Sequence, residues 1–251
     1  MANRRSPPQT RPDGCAFYAA VLEVLNGSGV PFQVGGSHAT GFYIGLPPNT
    51  KDIDVFCLAR DYPKLIRAGV EAGYVAEVED ERWIAKLRNG EEFCDVIFGS
   101  ANLVTPVTEA WFTERHEGEI CGVNVRLVPP TELIWSKAFI MDRNRFDGNM
   151  IAQVILKQHE RIDWNRLLGY MEQHWEVLLF HLLRFRYVYP SERDTIPAAV
   201  LDELLSRLAD QRTMPRPQRR ACRGRLFSRD DFDIDITRWG FADAVGDHKQ
   251  P

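Results

Sequence analysis

Residues 31–56 of the chain read PFQVGGSHATGFYIGLPPNTKDIDVF. A short apolar run meets the turn Gly35-Gly36-Ser37, a helix-length segment follows, and a β-branched strand then carries Asp52 and Asp54. Side chains two positions apart on a strand point to the same face, so this strand presents two adjacent carboxylates. Such a pair repels itself unless a positive group lies between the two, and oxygen-rich acidic sites suit Mg²⁺. The strand therefore predicts a metal site.

The glycine turn, defined as Gly35, Gly36 and Ser37, has the properties of a phosphate-binding loop. Its glycines let backbone N–H groups approach a ligand closely, and Ser37 is predicted to begin a helix whose dipole favours anions. A phosphate site and two metal-binding carboxylates, joined by one helix, predict a site for a nucleoside triphosphate (NTP). The neighbouring His38 either contacts a phosphate or is an exposed residue of the first helical turn.

A third carboxylate, Asp95, lies in the segment EEFCDVIFGS, residues 91–100. This segment is apolar on both faces, which is typical of a strand at the centre of a sheet. An aspartate in such a strand is costly to bury unless it is paired or bound to metal. Two interpretations remain open. Asp95 either joins Asp52 and Asp54 at the metal or caps a turn near Gly99-Ser100.

Gly36-Ser37 and Asp52-Ile53-Asp54, with Asp95 as the third carboxylate, make the chain resemble the nucleotidyltransferase superfamily. This superfamily includes DNA polymerase beta, the kanamycin and lincosamide nucleotidyltransferases, and the enzyme components of some bacterial toxin–antitoxin systems. The resemblance implies an α+β fold: a small mixed β-sheet flanked by helices, followed by an all-helical C-terminal region. It also implies Mg²⁺-dependent transfer of a nucleoside monophosphate (NMP) from an NTP, such as ATP, to an acceptor hydroxyl, with release of pyrophosphate.

The resemblance also assigns roles to individual residues. It implies that Asp52 and Asp54 hold two Mg²⁺ ions, that Asp95 completes the shell of one ion, and that all three residues are catalytic. It further implies that Gly35, Gly36 and Ser37 bind the phosphates of the nucleotide. The acceptor that the resemblance permits is a small molecule, an RNA or a protein.

In related nucleotidyltransferases a lysine of the next helical region reaches the triphosphate. Lys137 and Arg143 match that description in TELIWSKAFIMDRNRFDGN, residues 131–149, and are predicted to bind nucleotide. The ordinary alternatives are an exposed helix lysine for Lys137 and a surface salt bridge for Arg143 and Arg145. Asp147 either orients Lys137 or an arginine, or caps the next helix; the cap is favoured because Gly-Asn follows.

The distribution of strand and helix signals divides the chain into four segments. They are a disordered leader over 1–13, the catalytic domain over 14–129, a helical domain over 130–210 and a charged C-terminal tail over 211–251. Within the catalytic domain, Asn89-Gly90 predicts a hairpin and residues 106–115 predict a helix.

The tail separates its charges into two blocks. Residues 212–225 carry six arginines and no acidic residue, whereas residues 230–247 carry six aspartates and one arginine. The basic block either binds nucleic-acid phosphates or is neutralised by the acidic block within the chain.

The composition of the chain limits the classes of function that it can have. The 251 residues include 31 basic and 35 acidic side chains, a net charge of −4, so no global charge demands nucleic acid or a membrane surface. The most apolar later run carries two arginines and is too short to cross a membrane. Five cysteines without metal-ligand spacing predict a reduced, cytoplasmic protein. Two other functions remain as alternatives: a catalytically silent regulator that binds nucleotide or a partner, and an RNA-binding protein that uses the arginine block.

Overall fold

The structure is a computed structural model that describes residues 12–48 and 50–245. It contains two compact units, the first ending at Leu133 and the second beginning at Ile134. Residues 1–11 of the predicted leader and residues 246–251 of the predicted tail lie outside the described residues. The four predicted segments stay predictions.

The first unit is built on one small mixed sheet. Its helices are α1 (Pro12–Gly27), α2 (Gly36–Ile44) and α3 (Tyr62–Glu71), and its strands are β1 (Gln33–Val34), β2 (Asp52–Phe56), β3 (Val75–Asp80), β4 (Ile84–Asn89), β5 (Glu92–Ile97), β6 (Glu117–Ile120) and β7 (Val123–Arg126). Strands β1 to β5 form a sheet of order β1-β2-β5-β4-β3, and β6 pairs with β7. Only β2 and β5 run parallel within the five-stranded sheet as described. The predicted α+β class and the small mixed sheet are confirmed.

Burial fixes which way the side chains of β2 point. Ile53 and Val55 have no exposed surface, whereas Asp52 and Asp54, which alternate with them, are half-buried. Full burial of an Ile or Val side chain contributes about 1.5–3 kcal/mol, and a slip of one residue would exchange the two faces. The apolar residues of β2 therefore hold both aspartates on the opposite face. Strand β5 lies between β2 and β4, at the centre of the sheet as predicted.

Of two predictions made from local sequence, a hairpin and a helix, the structure confirms the hairpin only. The hairpin at Asn89-Gly90 is confirmed, because Asn89 pairs with Glu92 and Gly90 has a φ of 64°. The helix predicted over 106–115 is wrong, since only Glu109–Phe112 form a short 3₁₀ helix. The N–H of Val107 instead donates to the carbonyl of Phe98, which keeps this part of the segment extended against the end of β5.

A disulfide links α1 to the turn between β6 and β7. It joins Cys15 to Cys121, whose Cα atoms are 5.5 Å apart, within the usual range for a disulfide. The prediction that all five cysteines are reduced is therefore wrong for this pair. Partners separated by 106 residues leave no spacing signal in a sequence. Cys57, Cys94 and Cys222 are free.

Reduction of this disulfide is expected to destabilise the first unit. The cross-link closes a loop of about a hundred residues, and removing such a native disulfide typically costs about 2–5 kcal/mol. We expect urea unfolding of the first unit to shift to lower urea concentration in the presence of a thiol reductant. The Cys15→Ser/Cys121→Ser variant should unfold at that same lower concentration with or without reductant. Equal midpoints for the oxidised and reduced wild-type protein would contradict this expectation.

The second unit is mainly helical, as predicted for the C-terminal region. Helix α4 (Pro130–Lys137) spans the division, and α5 (Gly148–Gln158), α6 (Trp164–Tyr170), α7 (Trp175–Val188), α8 (Ala198–Gln211) and α9 (Asp233–Thr237) follow. Two short strands, β8 (Ala221–Cys222) and β9 (Ala242–Asp243), pair in parallel. The apolar faces of α5 and α7 pack together and bury Ile151, Ile155 and Leu182. Over the described ranges, no helix combines the length and apolarity needed to cross a bilayer.

Candidate active site

The parallel pairing of β2 with β5 brings three carboxylates together. Asp54 lies directly opposite Asp95 in the register of the two strands, and Asp52 is on the same face as Asp54. One carboxylate oxygen from each of Asp52, Asp54 and Asp95 can be chosen so that all three lie within 4.8 Å of one another. These residues are called the carboxylate cluster below. The other interpretation, in which Asp95 caps a turn near Gly99, does not match this position beside Asp52 and Asp54. A catalytic or metal-binding role for the cluster stays a prediction.

The glycine turn lies against this cluster. The N–H of Gly35 donates to the backbone carbonyl of Asp54 at 2.9 Å. Gly36 has a φ of 54°, and a Cβ atom built on it would overlap the Oδ2 atom of Asp54. A Cβ on Gly35 would overlap the ring of Phe56 in the same strand. Both glycines are therefore required sterically, because they allow the turn to touch β2 beside the carboxylates.

Helix α2 begins at this turn. Its first residue is Gly36, its N-cap is Gly35, and no side chain caps it. Ser37, which was predicted to begin the helix, is its second residue. The first N–H groups of a helix have no partners within it and favour an anion. Within residues 12–48 and 50–245 the Ser37 hydroxyl makes no hydrogen bond, and the side chain is half-buried. The turn thus presents N–H groups and a hydroxyl that suit a phosphate.

The charges around Asp95 oppose one another. The residue is 8% exposed, and burial raises the pKa of its carboxyl above the ordinary value. The ammonium of Lys86, 3.1 Å from Oδ1, lowers that pKa, while the charges of Asp52 and Glu79 raise it further. The net direction is upward, as expected for a buried acid beside other acids. Asp95 consequently has a stronger affinity for a proton than an exposed aspartate.

Comparisons with known proteins bear on the fold. No family model matches the chain, and neither does any curated protein. Among solved structures, ANT(2'')-Ia in complex with adenylyl-2''-tobramycin is 16% identical, over 70% of this chain and 99% of its own, with a TM-score of 0.44. The lincosamide antibiotic adenylyltransferase LnuA is 16% identical, over 59% and 98%, with a TM-score of 0.41. The chain is similar to both of these structures.

The chain is also similar to a nucleotidyltransferase-like structure. It is an antigenic protein from Paracoccidioides brasiliensis, 14% identical over 76% of this chain and 95% of its own, with a TM-score of 0.45. At such identities and TM-scores the likeness concerns the fold. The function is therefore argued below from the side chains of the site.

His38 follows the glycine turn but is not the exposed residue that was the ordinary expectation. It is 3% exposed, its ring packs edge-on against Tyr18 with centroids 5.0 Å apart, and its Nε2 atom has no hydrogen-bond partner among the described residues. Burial lowers the pKa of the imidazole, although a hydrogen bond to the Asp52 backbone and the charge of Asp52 act in the opposite direction. The buried ring favours the neutral form near pH 7, which is poorly suited to neutralising a phosphate.

Lys137 is buried in the second unit, so the alternative of an exposed helix lysine is wrong. Its side chain is 3% exposed, and Nζ lies 2.7 Å from Oδ2 of Asp147. Arg145 approaches the other oxygen of Asp147, with Nε 3.0 Å from Oδ1. Burial raises the pKa of Asp147, but Arg145 and Lys137 lower it by more, so the net shift is downward. Asp147 precedes α5 without capping it by its side chain, and it orients Lys137 instead.

Arg143 lies on the surface of the second unit. Its guanidinium and its backbone N–H both bind the carboxylate of Asp231. These contacts match the alternative in which Arg143 forms a surface salt bridge. The predicted binding of nucleotide by Lys137 and Arg143 stays a prediction.

Removal of the Asp147 charge is expected to destabilise the second unit. In Asp147→Asn the Lys137 ammonium loses its buried counter-ion, and breaking a buried pair in this way costs about 3–5 kcal/mol. Urea unfolding at pH 7 measures the loss, and Asp202→Asn, an exposed position of α8, is the matched control. Lys137→Met/Asp147→Leu should recover much of the stability, since neither charge remains. A single Asn variant as stable as the control would contradict the prediction.

The carboxyl of Asp147 makes the free energy of unfolding depend on pH, and the direction follows from its lowered pKa. Because its folded pKa is depressed, its contribution to stability is present above its unfolded pKa and is lost as the pH falls through the folded pKa. The wild type should therefore lose its advantage over Asp147→Asn on acidification.

The two charge blocks of the tail interact with each other in part. Arg225 binds Asp233 at 2.6 Å and Asp243 at 3.0 Å. These contacts favour neutralisation within the chain for that arginine. Arg212 and Arg216 are exposed. Nucleic-acid binding by residues 212–225 stays a prediction.

Two features of the site were missed at the level of sequence. One is the burial of His38 against Tyr18, for which the sequence contains no specific signal. The other is Lys86, which pairs with Asp95. A two-residue turn after Asn89 fixes the register of β4 and β5 and places Lys86 directly opposite Asp95, so the hairpin signal contained this information.

Proposed function

We propose that the protein is a Mg²⁺-dependent nucleotidyltransferase that moves an NMP from an NTP to a hydroxyl of an acceptor and releases pyrophosphate. The observation that supports this most directly is the carboxylate cluster, with three oxygens from two parallel strands within 4.8 Å. The close approach of Gly36 to the Asp54 side chain supports it further, because the turn, whose N–H groups suit an anion, then adjoins carboxylates that suit a cation.

The donor set fits magnesium. It consists of carboxylate oxygens alone, and Mg²⁺ in proteins is commonly held by one or two carboxylates together with substrate phosphates. Asp52 and Asp54 would hold two ions, and Asp95 would complete the shell of one. When bound, Mg²⁺ supplies charge stabilisation to the phosphate oxygens of the nucleotide.

The glycine turn would bind the β- and γ-phosphates of the NTP. The N–H groups at the start of α2 point their positive ends at the triphosphate, and the Ser37 hydroxyl donates to one of its oxygens. These donors are fixed by the contacts of both glycines with β2, so they need little rearrangement when the phosphate charge shifts during reaction. The turn thereby orients the α-phosphorus towards the acceptor.

Asp95 would act as the general base. Its carboxylate accepts the proton of the acceptor hydroxyl as that oxygen forms a bond to the α-phosphorus. The bond between the α-phosphorus and the bridging oxygen breaks, and pyrophosphate leaves with the electron pair.

The test is a labelling experiment with the full chain. Purified protein is incubated with each NTP labelled at the α-phosphate, with Mg²⁺ and a cell extract that supplies acceptors. We expect transfer of label to one class of acceptor, whether small molecule, RNA or protein, together with release of pyrophosphate, and loss of both in EDTA. If the protein binds an NTP but none of the NTPs tested gives pyrophosphate, the proposal is contradicted and the catalytically silent regulator is favoured.

A further inference from the structure

Lys86 is a half-buried cation that forms an ion pair with Asp95 of the carboxylate cluster. It lies on β4 opposite Asp95, and its side chain is 13% exposed. Its Nζ atom is 3.1 Å from Oδ1 of Asp95 and 2.8 Å from Oε2 of Glu79. The same atom lies 4.7 Å from the ring centroid of Phe93, within range of a cation–π interaction. The ammonium thus contacts two carboxylates and one aromatic ring.

Glu79 owes its position to an irregularity in the edge strand β3. Val78 pairs with Ala85 and Asp80 pairs with Ile84, so Glu79 is an extra residue between two regular pairs. Such a bulge redirects the side chain of the extra residue and increases the local twist. Here the side chain of Glu79, on the edge strand β3, forms an ion pair with Lys86 on the neighbouring strand β4. Glu79, Lys86 and Asp95 therefore form a chain of contacts from the sheet edge to the carboxylate cluster.

The contact matters because Asp95 is otherwise placed unfavourably. A carboxylate that is 8% exposed and lies beside two more carboxylates is disfavoured both by burial and by like charge. The ammonium of Lys86, 3.1 Å from Oδ1, offsets this cost through its charge, and Oδ1 has no hydrogen-bond partner among the described residues beyond this ion pair.

We infer that Lys86, anchored by Glu79, is the positioning residue that holds Asp95 in its orientation within the carboxylate cluster. This inference rests on the proposed function for its catalytic consequence, but its effect on the folded protein is independent of catalysis. The ion pair between Lys86 and Oδ1 is the contact that carries this positioning.

The first test measures thermal stability with and without Mg²⁺. Lys86→Met removes the ammonium and keeps the length of the side chain. Without Mg²⁺ we expect its Tm to fall by at least about 4 °C, because a buried carboxylate loses its counter-ion. Because a divalent cation would replace the missing charge, Mg²⁺ should raise the Tm of Lys86→Met by more than that of the wild type. Arg88→Met is the matched control, since Arg88 lies two positions along the same strand and over the same ring, but forms its ion pair with Glu77.

The second test measures nucleotide transfer. Mutation of a residue that orients a metal ligand typically costs about 10–100-fold in activity, so kcat of Lys86→Met should fall by that factor while KM for the NTP changes little. Lys86→Arg, which keeps the charge, should recover most of kcat, and Arg88→Met should resemble the wild type. Glu79→Gln leaves Lys86 in place without its anchor, so it should show a smaller loss in the same direction even if Lys86→Met folds poorly.

Two results would overturn the inference. One is a kcat of Lys86→Met within twofold of the wild type, and the other is an equal rise in Tm on addition of Mg²⁺ to both proteins. A failure of the proposed function gives a different pattern. Wild-type protein that releases no pyrophosphate would contradict the nucleotidyltransferase proposal, while a larger Mg²⁺-dependent rise in Tm for Lys86→Met would still support the positioning role.

Discussion

The Asp52→Asn/Asp54→Asn variant is expected to lose Mg²⁺-dependent nucleotide transfer by at least about a thousandfold, because the electrostatic stabilisation supplied by bound metal disappears with its ligands. The two substitutions preserve the shape of the side chains and remove their charge. Fold should survive, since both aspartates are half-buried on a strand whose opposite face is fixed by Ile53 and Val55. Pyrophosphate release under saturating NTP measures the loss, and circular dichroism checks the fold.

The control for this variant comes from the same sheet. Glu77→Gln also removes an acidic charge, but Glu77 is an exposed residue of β3 whose ion pair is with Arg88. Its activity should stay close to that of the wild type. Retained transfer activity in the double asparagine variant would show that the carboxylate cluster is not the catalytic centre.

Gly36→Ala is expected to reduce nucleotide transfer by about a hundredfold, the effect typical of a displacement of catalytic groups by about 1 Å. The new Cβ atom would overlap Oδ2 of Asp54, so either the carboxylate or the turn must move. In addition, a φ of 54° is unfavourable for alanine by about 1–2 kcal/mol. Both kcat and the thermal midpoint should be measured, because the first reports on the displaced carboxylate and the second mainly on the backbone.

Gly45→Ala separates these two contributions. Gly45 ends the same helix, has a φ of 73°, and has open space where a Cβ atom would lie. It therefore carries the backbone penalty without the overlap. We expect Gly36→Ala to lose at least as much stability as Gly45→Ala, because it adds the overlap to the backbone penalty, and only Gly36→Ala to lose activity. Equal activity in both would mean that the contact between Gly36 and Asp54 is unimportant for catalysis.

Much of the site follows from local signals in the sequence. The alternation of Ile53 and Val55 with two aspartates determines the face of β2, and the apolar character of residues 93–98 on both sides places β5 at the centre of the sheet. Once these two strands are neighbours, the meeting of Asp54 with Asp95 requires only their register. Each of these inferences depends on periodicity within one strand, which a single sequence contains.

The remaining features depend on contacts between distant segments. The burial of Lys137 was missed because a lysine in a short helix is usually exposed, although its pairing with Asp147 was one of the two alternatives for that acid. Lys86 was missed because a lysine in a strand is informative only when the register with β5 is drawn explicitly. The extended segment at Val107 was missed because its partner, Phe98, belongs to another element.

The Cys15–Cys121 bond encloses the whole of the proposed catalytic apparatus in one covalent ring. The glycine turn, the carboxylate cluster and Lys86 all lie between the two cysteines in sequence. A protease that nicks the ring once, at any surface peptide within it, would leave a single molecule until a reductant separates the fragments. The two fragments would stay joined at Cys15 and Cys121, and the strand pairing of the sheet would then keep the catalytic groups together after the backbone is cut.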